Sequence, residues 1–537
     1  MFADIHCHPS LYPYNNGHHI TYTDPPDIAQ RAGMINTLIT SDFSQCDCPS
    51  LDIGQVRLVF HALYPIERGF LSNIFTTDIF KDPTLNLGEK VMKDLLGQFI
   101  TPIKLVTNPN KVLARVIFNM KGRRFREITG RTHSYFNDLV QEYAYFLKEA
   151  DEINRNKSNP WQVEIIRDFA HLRSVLELDA NYKPQTKRRV LCVVFTIEGG
   201  HALGVGQADT VSTNDELVVN SVDSPAYQAL QTRVLNNIAT IKQWGPNGVY
   251  SPVFITLTHH FWNQLCGHSM SFAAMMHKVF DQREGLEAGM TQLGIAAVKA
   301  LLSRQNGRRI LIDVKHMSIT GRRWYYNYLK EVRETTGEII PIIASHVGVN
   351  GLPTINITNI STDHDQMDSS YNNSGWFNNW GINLFDDEIM EIFDSNGLIG
   401  LNFDQRILTG YKLLQNLEQK SKNISNPLKP TSMLYKSIWA EPILANFIHV
   451  VQTVYASDRP DKSYVWQMMA IGSDFDGLIN ALDAFCNARD FTTLKEVLLE
   501  KFKIRAEVEP CLQGINIAEM LDSFFYKNAL RFLERIH

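Results

Sequence analysis

Eight short apolar runs, rich in β-branched residues and separated by stretches of helical periodicity, constrain the fold of this chain most. They occupy residues 2–5, 56–64, 190–197, 253–258, 310–314, 339–344, 398–403 and 468–472. Runs of this length and composition, bounded by turn or helix signals, read as buried strands. Helical patterns over 294–304, 322–335 and 386–394 fall between successive runs. Eight strands alternating with helices give a parallel (β/α)8 TIM barrel.

A barrel of this kind needs about 250 residues, and the chain has 537. The excess falls in two places. Residues 66–188, after the second run, read as mainly helical, as do residues 405–467 before the eighth. We read residues 1–537 as one barrel domain carrying these two stretches as insertions. The polar stretch 356–380, rich in Asn, Ser and Asp, reads as a loop or lid. Hydrophobic residues make up 44% and charged residues 20%, which supports a large core and excludes wholesale disorder.

The runs end in residues that carry chemistry. The first ends in Asp4-Ile5-His6-Cys7-His8, the third in Glu198-Gly199-Gly200-His201 and the fourth in His259-His260. The fifth ends in His316, the sixth in Ser345-His346 and the eighth in Asp474-Phe475-Asp476-Gly477. The C-terminal ends of the strands form the catalytic face of such a barrel, so these residues are expected at one mouth. His6 and His8 are two apart and point to the same side of a strand, where two imidazoles can chelate one divalent ion. Glu198 follows an apolar strand, where an unpaired carboxylate is costly; an ion, or two ions shared by its oxygens, would offset that cost. His316 and His346 would hold a second ion. Asp474 would take and return a proton, and His259 would stabilise an oxyanion across the mouth. Two divalent ions in such a site suit a hydrolase, since metals acidify water and polarise a carbonyl.

The remaining histidines and acids have plainer readings. His201 orients its loop, His260 and His268 are loop residues, and His18 and His19 are solvated. Asp4 caps or bonds near the first strand, and Asp476 forms a turn.

Charge and cysteine content exclude other classes. Lys and Arg total 52 against 57 Asp and Glu, a net charge of −5, which does not suit a nucleic-acid partner. Seven scattered cysteines fit a reducing compartment, and so a cytoplasmic location, better than a disulfide framework. No run of about 18 apolar residues suggests a transmembrane helix. No secretory leader is read at the start, and its cleavage would remove His6 and His8. The expected partner is a small-molecule substrate, and homo-oligomerisation is left open.

The motifs resemble the membrane dipeptidase branch (renal dipeptidase-like, peptidase family M19) of the amidohydrolase superfamily. The pieces are Glu198-Gly199-Gly200-His201, Thr256-Leu257-Thr258-His259 with Trp262-Asn263, Asp313-Val314-Lys315-His316, Ala344-Ser345-His346 and Gly472-Ser473-Asp474-Phe475-Asp476-Gly477, with Asn528-Ala529-Leu530-Arg531 near the end. The resemblance implies a binuclear zinc site: His6 and His8 on one ion, Glu198 bridging, and His316 and His346 on the other. It also implies substrate contact by His259, proton transfer by Asp474, and cleavage of a dipeptide-like or lactam-like amide. Two positions depart from the family. It carries His-x-Asp where this chain has His6-x-His8. It also grips a substrate carboxylate with an Arg where this chain has Ile382, and Arg406 is then the candidate to reach the same pocket. These departures keep open a deaminase, lactonase or phosphoesterase, and a non-enzymatic barrel whose insertions bind a partner.

Overall fold

Nine strands, all paired parallel, make up the sheet among the residues that the computed structural model describes: 1–22, 44–72, 120–130, 132–205, 220–272, 280–356, 375–424 and 432–537. They are β1 (Phe2–Cys7), β2 (Val56–Leu63), β3 (Trp161–Ile165), β4 (Arg189–Glu198), β5 (Phe254–Thr256), β6 (Leu311–Asp313), β7 (Ile343–Val347), β8 (Leu398–Leu401) and β9 (Met469–Ile471). The order is β1-β2-β4-β5-β6-β7-β8-β9, with β3 paired to β4 off this path. Backbone bonds from His8 N to Phe475 O (3.0 Å) and from Asp474 N to His6 O (2.9 Å) join the two ends. The eight strands of the path thus close into the expected (β/α)8 barrel.

Most staves are buried along their whole length, as in β4, where only Arg189 is exposed. Parallel strands covered on both faces are apolar throughout for this reason. Helices including Pro225–Lys242, Gln292–Leu302, Ile319–Thr336, Asp386–Asp394 and Glu441–Ala456 lie between or after the staves. Close approach inside the barrel requires glycine at Gly472, where an added Cβ would sit 1.8 Å from Ser345 O.

Two strands differ from the sequence expectation. β3 lies within 66–188 and was not among the eight runs. Its Trp161 and Val163 are buried while Gln162 is exposed, and it shares one edge of β4 with β5. The sixth strand begins at Ile343 rather than at 339, because Pro341 has no amide hydrogen to give a ladder. Within 66–188 the described helices are Gly69–Ser72, Gly122–Thr129, Tyr135–Arg155 and Phe169–Leu176. Within 405–467 they include Tyr411–Ser421, Met433–Trp439 and Glu441–Ala456. Residues 357–374 of the polar stretch lie outside the described residues.

One large core runs through the barrel and its helices. A second apolar cluster, including Tyr64, Phe70, Phe125, Phe272, Phe280 and Leu478, forms beyond the ends of β2 and β9. All seven cysteines are free and buried. No described helix is long and apolar enough to cross a membrane.

Candidate metal centre

Glu198, at the end of β4, lies at the centre of a ring of imidazoles. Its Oε1 is 3.3 Å from His6 Nε2, 3.4 Å from His346 Nε2 and 3.9 Å from His316 Nε2. Its Oε2 is 3.0 Å from His8 Nε2. Asp474 Oδ1 stands 3.5 Å from His8 Nε2 and 3.8 Å from His6 Nε2. The structure therefore brings together all six of the metal and proton-transfer residues expected at the mouth.

A layer beneath the ring sets which nitrogen of each imidazole faces inward. His8 Nδ1 is 2.9 Å from Ala62 O. A carbonyl only accepts, so Nδ1 carries the proton and a neutral ring turns a bare Nε2 to the centre. Asp313, at the end of β6, accepts from Thr256 Oγ1 (2.7 Å), Ser345 N (2.9 Å) and Ser345 Oγ (2.5 Å). With its hydrogen so engaged, Ser345 Oγ accepts from His346 Nδ1 at 2.7 Å and His6 Nδ1 at 3.2 Å. Supports of this kind behind a ligating imidazole fix its tautomer and orientation.

The backbone after the strands is held in an uncommon conformation. His316 has φ +64° and Asp474 has φ +61°. Left-handed non-glycine residues are disfavoured by about 1–2 kcal/mol and gather at functional sites. Gly477 follows closely behind, and an added Cβ there would meet Asp474 Oδ1 at 2.0 Å.

Burial opposes ionisation of Glu198, but His259, His6 and His8 outweigh it and hold the carboxyl well below its usual range. Burial lifts Asp474 above its usual value. Burial, with neighbouring cations, keeps His316 and His346 well below the ordinary imidazole range. For His8, burial is overcome by Glu198 and Asp474, which lift it to about 10.

These features fit divalent metal ions. His6 Nε2, His8 Nε2 and Glu198 Oε1 are buried with no hydrogen-bond partner among the described residues. His316 Nε2 and His346 Nε2 face each other at 3.2 Å. A hydrogen bond from one ring to the other spans that range, and so does one ion, since about 3.3 Å separates two nitrogens bound at 2.0–2.1 Å to one tetrahedral ion. Ligand atoms of His6, Glu198, His346 and Asp474 all lie within 4.8 Å of one another. So do those of His259, His260 and His316. His260, read from sequence as a loop residue, therefore stands beside the ring, its Nδ1 2.6 Å from Ser271 Oγ.

His259 sits across the mouth with Nε2 3.5 Å from Glu198 Oε1. Its Nδ1 is 2.5 Å from Glu67 Oε2. Burial opposes the charge of His259, but Glu198 and then Glu67 raise it above its usual value. Burial likewise opposes the charge of Glu67, yet His259 and His201 hold it to about 2. Glu67 also accepts from Phe261 N and Tyr64 OH, each at 3.1 Å. The sequence reading missed Glu67. The available signal was a carboxylate soon after an apolar strand, the same signal that marked Glu198.

A cavity above the ring is lined by His259, His316, Asp474, Lys315 and Arg406 on its polar side. Arg406 Nε bonds both oxygens of Asp404, at 3.0 and 3.1 Å, and its terminal nitrogen joins the same pair. His201 turns away from the ring, with Nε2 2.7 Å from Pro65 O. Lys315, which no sequence argument singled out, is buried, and burial draws its ammonium down to about 8.

No family model matches the chain, and no curated protein matches it. Among the solved structures that align with the chain are the following three. One is a dipeptidase AC described as a metallopeptidase of family M19, at 14% identity and a TM-score of 0.46, covering 100% of this chain and 98% of that one. The second is a metallopeptidase from Rhodobacter sphaeroides liganded with a phosphinate mimic of the dipeptide L-Ala-D-Ala, at 14% identity and 0.48, covering 100% and 99%. The third is the probable dipeptidase PvdM from Pseudomonas aeruginosa, at 13% identity and 0.46, covering 100% and 95%.

Proposed function

We propose that this chain is a metal-dependent hydrolase with a binuclear, zinc-type centre that cleaves an amide bond in a dipeptide-like or lactam-like small molecule. The observation that carries this reading is the convergence of four imidazole Nε2 atoms and two carboxylates on one buried point at the catalytic end of a barrel. His6 and His8 would hold one ion, His316 and His346 the other, with Glu198 between them. Bound there, divalent ions supply Lewis acidity toward a carbonyl and lower the pKa of water.

The chain's own residues supply the rest. Asp474 takes a proton from the attacking water and returns it to the leaving nitrogen. Its carboxyl, lifted by burial, is nearer the working range of a proton carrier than an ordinary aspartate. His259 Nε2 donates to the carbonyl oxygen as it gains charge, while Glu67 fixes the opposite nitrogen. Arg406 forms part of the wall against which the substrate rests. The motif resemblance supports the same roles. On this reading the stretches 66–188 and 405–467 are insertions on one domain.

Chelation followed by zinc return tests the proposal directly. Turnover of a dipeptide panel should vanish with chelator and come back with zinc. Hydrolysis that persists in metal-free protein would contradict it.

A further inference from the structure

Lys315 is 1% exposed, and its Nζ has no hydrogen-bond partner among the described residues. A buried ammonium without a partner is costly, and native proteins seldom leave one so. The lysine lines the cavity above the imidazole ring. The carboxylates that act on it from a distance are Asp474, Asp404, Asp313 and Glu198, and each is engaged elsewhere. Asp404 is paired with Arg406. Asp313 accepts from Thr256, Ser345 and the Lys315 backbone amide. Asp474 stands beside His8 and accepts from Asn402, and Glu198 lies within the ring.

Beside the polar side of the cavity lies an apolar one. Phe70, Phe272, Phe280, Leu478 and Ile382 line it. Since Arg406 pairs with Asp404 and His259 with Glu67, Lys315 is the cation of this lining left without an ion-pair partner among the described residues, next to apolar side chains. That combination fits a monoanion with an apolar body.

We propose that Lys315 is the specificity-determining anchor of this cavity and receives a carboxylate of the substrate, with the substrate's apolar body against Phe70, Phe272 and Phe280. The assignment rests on the hydrolase reading for the word substrate, but its binding chemistry can be tested apart from turnover. Charge recognition then belongs to Lys315 rather than to Arg406.

The test is calorimetric binding of N-acetylphenylalanine and of its C-terminal amide to the zinc-loaded full chain. Wild type should prefer the acid by roughly ten- to a hundredfold, the worth of a charge-assisted hydrogen bond. K315M should lose that preference while keeping the zinc content of wild type, and K315R, which keeps the charge and reports on folding, should retain most of it. A K315M protein with the full preference would show that the ions alone hold the carboxylate, and would overturn the proposal. So would a wild type that binds both probes equally or binds neither. A chain that hydrolyses neither dipeptides nor lactams yet prefers the acid through Lys315 would refute the hydrolase reading and leave this inference standing.

Discussion

His259 Nδ1 lies 2.5 Å from Glu67 Oε2, so a buried carboxylate beyond β2 fixes the ring that faces Glu198 from the far side of the mouth. The pair joins a residue legible in the sequence to one that was not.

Replacing Glu67 by Gln should cut kcat/KM by roughly ten- to a hundredfold, because the pair orients and charges His259. Replacing it by Ala should cost about 3–5 kcal/mol, as breaking a buried ion pair does. Glu67 falls from 4.5 to about 2 on folding, so its contribution is complete above about 4.5 and is lost as pH falls through about 2. Urea titrations from pH 6 to 2 should show a shallower acid loss in E67Q than in wild type.

Asp474→Asn removes the proton carrier and keeps the shape. We predict a fall in kcat of roughly a hundred- to ten-thousandfold, with the zinc content of wild type. Full turnover in this variant would remove Asp474 from the mechanism.

Zinc affinity should rise with pH. His8 is lifted to about 10 in the metal-free protein, so its ring is protonated at neutral pH and must lose a proton to ligate. One such proton gives about a tenfold gain in affinity per pH unit below 10. Competition against a chelator at pH 6, 7 and 8 measures the slope, and a flat profile would argue against His8 as a ligand.

Asp4 ties β1 to the segment after β9. It accepts from Ser473 N at 3.0 Å, from Ser473 Oγ and from His6 N at 3.1 Å. Asp4→Ala leaves three buried donors without their acceptor, at about 1–3 kcal/mol each. Denaturant unfolding should show a loss of about 3 kcal/mol or more, with weaker zinc binding because His6 is displaced.

The barrel and the ring were legible for a common reason. Strands covered on both faces are apolar runs, and a His or carboxylate at the end of such a run stands out against them. The same contrast failed for β3, whose Trp161-Gln162-Val163-Glu164-Ile165 mixes polar with apolar residues inside a helical stretch. It failed for Glu67 because Tyr64, Pro65 and Ile66 separate it from β2 and it falls in a segment read as helical. Lys315 sits in plain view next to His316, but lysine is almost always solvated, and no one-dimensional pattern marks a buried one. The partnership of Arg406 with Asp404, two residues away, depends on side-chain direction after β8, which spacing alone does not define.

Metal content per chain on freshly purified protein, measured by elemental analysis before and after zinc incubation, tests the central claim most directly. The account predicts two ions per chain after zinc, falling on replacement of Glu198 by Gln. Protein that takes up no metal, even with zinc in excess, would contradict it.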